Sequence, residues 1–421
     1  MICEITMPKI NPDVESFARI KVIGVGGSGK NALNHMISSK VRGVEFISMN
    51  TDTQDLHNSL ADRKIHIGKN LTKGLGAGMN PEIGKRAAEE TKAEIQDVIK
   101  GADMIFIACG MGGGTGTGAA PIVAQAAKEQ GILTVAVVTK PFSFEGNQRM
   151  RLAEAGLAEL EKEVDAILII PNDRILAIAP PGTGFKAAFA MCDEVLRQAV
   201  EGISDLITTP GDINVDFADI KAVMSDAGSA LMGIGFGAGE KRAEKAAIDA
   251  INSPLLDLSI NGAKGVLLAI SGGDDLTIHE INEAARIITD SIDKDAKVIF
   301  GTSKDDKLKK GEMKVTVIAT GFPTDAPKRS LFGTQPQSAP TPTLTSASSI
   351  SSIFSKKSED KEEAPEKKEI HNSIPANDYI KKGDAGKKVF AEEIIVEDGA
   401  DEDDIDGDWA GIPAFLRRPK K

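Results

Sequence analysis

Short apolar runs alternate with Ala-rich stretches of helical period along most of the chain, up to about Pro323. Ile20–Val25, Val44–Met49, Met104–Cys109, Leu133–Val138 and Ala166–Ile170 read as strands, with helical patterns such as Pro81–Lys100 and Pro121–Gln130 between them. A strand-then-helix rhythm predicts parallel βαβ units with helices on both faces of the sheet. Val266–Ile270, Lys297–Phe300 and Lys314–Thr320 are further strand candidates. Between the first two lies a helix, Thr277–Ile292, and Thr277 followed by Glu280 predicts a capping box at its start. This later part reads as a smaller α/β domain, and a strongly helical stretch near Ala187–Ser204 is placed to bridge the two.

Beyond Pro323 the pattern stops. Residues 324–400 are rich in Ser, Thr, Pro, Lys and Glu and poor in apolar residues. Such a segment buries too little surface to offset its chain entropy and is expected to be a disordered linker. An acidic run, Glu397–Asp408, then precedes Trp409-Ala-Gly-Ile-Pro-Ala-Phe-Leu-Arg-Arg. An apolar knot flanked by charge at the end of a tether has the form of a docking peptide.

Composition narrows the function. The 421 residues leave room for two ordinary domains, and a net charge of -12 argues against a nucleic-acid binder, which usually shows a basic face. Cys3, Cys109 and Cys192 form no CxxC pair and the five histidines no ligand-spaced cluster, so neither a metal centre nor a disulfide scaffold is expected. A reducing cytoplasm is the natural setting. The start of the chain has no apolar leader core, and no run approaches the ~20 apolar residues of a spanning helix. A membrane role therefore has to go through a partner or a short tail.

Two glycine loops carry the chemistry. Gly24-Val-Gly26-Gly27-Ser28-Gly29-Lys30-Asn31 follows a strand and opens a helix. It fits both a dinucleotide fingerprint, with Glu45 or Asp52 near the spacing of a ribose-binding acid, and a phosphate loop that lacks the Mg²⁺-binding hydroxyl at Asn31. Either way, bare N–H groups at a helix N-terminus face an anion. The second loop, Gly110-Met-Gly112-Gly113-Gly114-Thr115-Gly116-Thr117-Gly118, precedes a helix expected to begin near Ala119. So many glycines let successive N–H groups curl round phosphate oxygens, and a nicotinamide oxidoreductase has no use for this loop. Loops at the ends of neighbouring parallel strands converge on one crevice, which suits a di- or triphosphate nucleotide.

Gly112-Gly-Gly-Thr-Gly-Thr-Gly118 resembles the signature of the tubulin/FtsZ GTPase family, and Ala119-Ala-Pro121 is closest to its bacterial branch. Asn50-Thr-Asp52, Lys140-Pro-Phe-Ser-Phe-Glu145-Gly, Arg149, Pro171-Asn172-Asp173, Phe189, Asp193, Asn214-Val-Asp216-Phe-Ala-Asp219 and Gly411-Ile-Pro-Ala-Phe-Leu416-Arg-Arg match in order and spacing. The resemblance implies a tubulin-like α/β fold: a parallel-sheet nucleotide-binding domain, a central helix and a smaller α/β domain. The expected organisation is an extension at 1–16, the GTP-binding domain at 17–205, the second domain at 206–323, the linker at 324–400 and the docking peptide at 401–421. It further implies GTP/GDP and Mg²⁺, head-to-tail protofilaments, a cytoplasmic ring at the mid-cell division site in bacterial cytokinesis, and membrane-tethering division proteins on the terminal peptide. There Ile412, Pro413, Phe415 and Leu416 would anchor, and Arg417 and Arg418 would rim.

Carried over by position, both glycine loops hold phosphates, Glu145 and Arg149 lie near ribose and phosphates, and Asn172, Phe189 and Asp193 hold guanine. A carboxylate accepts from both N1–H and the exocyclic amine of guanine, and adenine offers no such pair. Ser28 and Lys30 depart from the small residues usual in the first loop. Asn214, Asp216 and Asp219 read, by themselves, as a helix cap with dipole-facing carboxylates. The resemblance instead makes them the catalytic loop that completes the next subunit's site.

Overall fold

The computed structural model describes residues 18–322, apart from 210, 255, 257–259, 261, 274 and 306. The extension, the linker and the docking peptide, with Ile412, Pro413, Phe415, Leu416, Arg417 and Arg418, lie outside the described residues. The described residues belong to one compact unit.

The first strands, β1 (Ile20–Val25), β2 (Val44–Asn50), β3 (Arg63–His66), β4 (Met104–Gly110), β5 (Leu133–Lys140) and β6 (Ala166–Pro171), pair in parallel in the order β3-β2-β1-β4-β5-β6. Their connections contain α1 (Gly26–Ser38), α2 (Thr53–His57), α3 (Lys69–Thr72), α4 (Pro81–Glu90), α5 (Lys92–Ile99), α6 (Thr115–Glu129) and α7 (Asn147–Leu160). After β6 come α8 (Asn172–Ile178), the long α9 (Phe185–Thr208) and α10 (Phe217–Met224). The rest is β7 (Gly228–Ala238), α11 (Arg242–Ile251), β8 (Gly265–Gly272), α12 (Ile278–Thr289), β9 (Lys297–Lys304) and β10 (Glu312–Thr320). The start of β7 pairs with β6 and the remainder with β10, so the sheet continues as β7-β10-β8-β9.

Successive strand residues face opposite sides of a sheet, and here both sides are covered. Val22, Phe106 and Val137 join α1, α9 and α10 in one core, while Ile23, Ile107 and Val138 join α4 to α7 in another. That is why these strands read as continuous apolar runs. Leu267, Ala269 and Ile318 of the later strands share the first core, whereas α11 and α12 pack on the opposite side. The helix α9 thus lies against both parts of the sheet and is buried on nearly all sides.

Several expectations are corrected by tertiary contacts. The helical run Pro81–Lys100 is broken at Thr91, whose hydroxyl accepts from Gly68 N at 2.9 Å and donates to Ala87 O at 2.8 Å. The helix expected near Ala119 begins at Thr115, so Thr-Gly-Thr-Gly forms its first turn and Pro121 lies inside it. The box at Thr277 is present, with Thr277 N donating to Glu280 at 2.9 Å and Glu280 N to Thr277 Oγ1 at 3.4 Å.

Candidate functional site

Helix α1 starts directly at the C-terminal end of β1, and α6 starts beyond the end of the neighbouring β4, with Met111–Gly114 between. Their first N–H groups have no partner within the helix, and both helix dipoles point their positive ends into the same space. That space is a cleft of about 300 Å³ lined by Gly26, Gly27, Ser28, Gly110, Gly113, Gly114, Thr115 and Gly116 on the loop side. Glu145, Arg149, Asn172 and Phe189 line the remainder, together with Val25, Met111, Thr139 and Pro141.

The glycines serve different ends. Gly26 has φ +74°, and a Cβ there would lie 3.1 Å from Gly116 N, wedged between the two loops. Gly112 has φ +93° and would press on Arg149 O at 2.8 Å. Of the two, Gly26 lines the cleft and Gly112 does not. Gly24 and Gly29 do not line it. They let α1 sit on the strands, since a Cβ on Gly29 would meet Ala108 O at 2.4 Å. A Cβ on Gly114 would strike Ala77 and Asn80, and one on Gly118 the backbone of Pro81, so both mark a close approach of α6 to the 77–81 segment.

The threonines also divide. Thr115 lines the cleft with its hydroxyl 2.6 Å from that of Thr51. Thr117 is buried and its Oγ1 accepts from Gly112 N at 2.8 Å, which closes the loop from within.

Glu145 accepts from Phe142 N at 3.0 Å and pairs with Arg149, so it is held by its own segment. Asn172 is 5% exposed, and its Oδ1 is buried with no hydrogen-bond partner. An orphaned acceptor on a cleft wall suits a ligand donor. Phe189 offers a ring to a planar base, backed edge-on by Phe142 at 5.1 Å. Asp193 stands one turn further along α9 and is not among the lining residues. Burial outweighs the opposing charges of His35 and Lys30 and pushes its carboxyl up to about 7.

Lys30 and Asn31 lie outside the lining. Lys30 is buried and pairs with Asp55 at 2.5 Å, while Asn31 is exposed on α1. The acids proposed for a ribose are also engaged elsewhere. Glu45 pairs with Lys21 at 3.2 Å and Arg63 at 2.9 Å, and Asp52 caps α2. The dinucleotide reading of the first loop thereby loses its acid. Val25, Met111, Thr139 and Pro141 were missed by sequence reasoning. Val25, Met111 and Pro141 were within reach because they sit inside the two glycine loops and the Lys140–Gly146 motif, whereas Thr139 is a strand-end residue with no motif of its own.

Asn214, Asp216 and Asp219 are exposed and follow the far end of α9. At 1.5 Å per residue, Thr208 lies about 28 Å along that helix from Phe189. It packs on Gly43, just before β2, at the N-terminal ends of the parallel strands, whereas the cleft lies at their C-terminal ends. Asp216 is the N-cap residue of α10, yet its side chain makes no capping bond. Asn214 Oδ1 accepts from Gly211 N at 2.7 Å and closes the turn.

Residues 19–180 match the GTPase domain of the Tubulin/FtsZ family, and residues 228–323 match the C-terminal domain of the FtsZ family. The chain belongs to the tubulin/FtsZ family of GTPases. FtsZ of M. jannaschii, solved as an empty dimer, shares 47% identity over 72% of this chain and 88% of its own, with a TM-score of 0.69. A tryptophan-to-tyrosine mutant of that protein gives 46%, 73%, 92% and 0.70 on the same measures. CetZ2 from Haloferax volcanii, at 22% identity over 72% of this chain and 92% of its own, has a TM-score of 0.61 and shares the fold. The two glycine loops fall within the first matched region, and the exposed Asp216 and Asp219 fall between the two regions. Among the described residues, no group of three or more His, Cys, Asp or Glu is placed to hold a metal, and no helix is long and apolar enough to cross a membrane.

Proposed function

We propose that this chain binds GTP in the cleft, assembles head-to-tail into protofilaments and hydrolyses GTP at each contact. Asp216 and Asp219 of one copy act on the nucleotide held by the next. The observation that carries this reading is a separation. The cleft has a cradle but, among the described residues, its one lining carboxylate is tied to Arg149, while two exposed carboxylates stand at the opposite end of α9. Each copy is then half an enzyme at either end. Two carboxylates orient a water and accept its proton as it attacks the terminal phosphate, and Asn214 holds their turn. A contact of unlike ends that does not close generates a filament. The dimer formed by the M. jannaschii relative supports self-association.

The phosphates lie on the two helix N-termini, Phe189 stacks on guanine, and Asn172 and Asp193 take its donors. The family's Mg²⁺ would find no protein cage in this lining, and phosphate oxygens with water are its fitting ligands. The filament works in the cytoplasm as a division-site ring, and the terminal peptide docks on membrane-tethering division proteins through Ile412, Phe415 and Leu416. GTP turnover and light scattering, measured against protein concentration, test the core of this. Turnover per chain is expected to rise steeply once polymer forms, and turnover per chain independent of concentration would defeat the shared site. A chain ending at Ala400 is expected to keep both activities and lose membrane recruitment, and recruitment that survives would place the docking site elsewhere.

Guanine recognition should depend on pH. As the pH falls through about 7, Asp193 takes up a proton and can no longer accept from both guanine donors. By single-proton linkage, GTP affinity at pH 6 is expected to be about tenfold below its plateau near pH 8. Asp193→Asn should remove that dependence, and comparing the two proteins at each pH cancels the titration of the phosphates themselves. Equal pH profiles would take Asp193 out of the base pocket.

A further inference from the structure

Behind the first phosphate loop lies a charge that the proposed chemistry does not use. Asp55, on α2, has one oxygen 3.3 Å from where a Cβ of Gly27 would stand, and Gly27 lines the cleft. A carboxylate that close to an anion cradle opposes phosphate binding. It is nevertheless built in. Asp55 Oδ2 accepts from Asn50 Nδ2 at 2.7 Å, and Asn50 Oδ1 accepts from Asp52 N at 3.3 Å. Thr51, between them, meets Thr115 of the second loop through its hydroxyl. Asp55 therefore straps the turn after β2, which supports both loops. Its other oxygen accepts from Lys30 Nζ at 2.5 Å, and Lys30 is 8% exposed and absent from the lining.

We propose that Lys30 is a positioning residue for phosphate binding: by neutralising Asp55 behind Gly27, it lets the strap stand beside the cradle without repelling the nucleotide's phosphates. The inference rests on the reading that GTP occupies this cleft. Lys30 never touches the nucleotide. It acts through Asp55, so the penalty for losing it grows with the number of phosphate charges facing the loop.

The test is a double-mutant cycle read with GMP, GDP and GTP on unpolymerised full-length protein. Lys30→Met is expected to weaken GTP about tenfold, GDP less and GMP least, because a bare carboxylate at this range repels each added charge. Asp55→Asn, which keeps the side-chain shape, is expected to leave GTP affinity unchanged or slightly tighter. Lys30→Met/Asp55→Asn is expected to recover wild-type affinity within about twofold, the non-additivity of a coupled pair. Equal losses on all three nucleotides would mark a structural role and overturn the proposal. So would no recovery in the double variant, the result if Lys30 met a phosphate directly. Should Lys30→Met not fold, a tenfold fall in Asp55→Asn alone would overturn it equally. A wild-type chain that binds none of the three sinks the GTP reading, and this inference with it.

Discussion

An Asp219→Ala chain mixed with a Gly26→Ala chain is expected to turn over GTP, although each alone is nearly inactive. The Asp219→Ala chain keeps both glycine loops, so it is expected to bind GTP and polymerise, but to present a defective carboxylate turn to its neighbour. Loss of a group that accepts a proton from the attacking water costs about 10²-fold or more in rate. The Gly26→Ala chain has the converse defect. Alanine at φ +74° is strained, and its methyl would lie 3.1 Å from Gly116 N, between the two loops. It should bind GTP poorly while its own turn, remote from Gly26, stays intact. Wherever a loaded Asp219→Ala chain meets the turn of a Gly26→Ala chain, a complete site forms. Phosphate release from the mixture, compared with the sum of the two proteins at matched total concentration, measures this. A merely additive result with co-assembly demonstrated would show that the carboxylates serve no neighbouring nucleotide.

Arg197→Met is expected to destabilise the body of the protein strongly. Arg197 is 7% exposed on α9 and donates to Glu194 at 2.8 and 2.6 Å and also to Glu201. His35 of α1 meets Glu194 at 2.8 Å, and Lys307 meets Glu201 at 2.7 Å. The network thus runs from α1, which opens at the first glycine loop, along α9, to the segment between β9 and β10. Removing its central cation leaves buried Glu194 to His35 and Gln198, and buried Glu201 to Lys307, a change that costs about 3 kcal/mol or more. A fall in the urea midpoint reads it, and Arg197→Met with Glu194→Gln should recover part of the loss. An unchanged midpoint would show that the pairs contribute nothing to stability. The same network makes the fold acid-sensitive. Burial alone would raise Glu194, but the hydrogen bonds from Arg197 and His35 outweigh it and hold the carboxyl at about 2, below its usual 4.5. Its contribution is therefore complete above about pH 4.5 and is lost as the pH falls toward 2.

The strands that sequence pattern missed show where local reading ends. Arg63–His66 is a short edge strand with exposed Arg63 and Lys64, so it lacks the two-sided apolar run of its neighbours. Gly228–Ala238 carries glycine at 233, 235 and 237, which normally weakens a strand. In the fold these alternate positions face α11, where a Cβ would lie 1.9 to 2.0 Å from the backbone oxygens of Ala250, Ala246 and Arg242. The helix rests directly on the strand, and only that contact makes the glycines necessary.

By itself the sequence determined the parallel core, the two glycine loops that open helices and the start of the helix at Thr277. Each follows from interactions between residues close in the chain: side-chain periodicity, glycine's freedom at the end of a strand, and a reciprocal cap. The tertiary structure alone decided which glycines face the cleft and which face a helix, because that depends on what packs against them. It turned Lys30 from the cleft to Asp55, and it set the carboxylates of α10 at the opposite end of the molecule from the loops. Distance across the fold is the reason. Phe189 beside the cleft and Thr208 before the carboxylate turn stand about 28 Å apart along α9, and no local pattern records how far apart the fold will hold such groups.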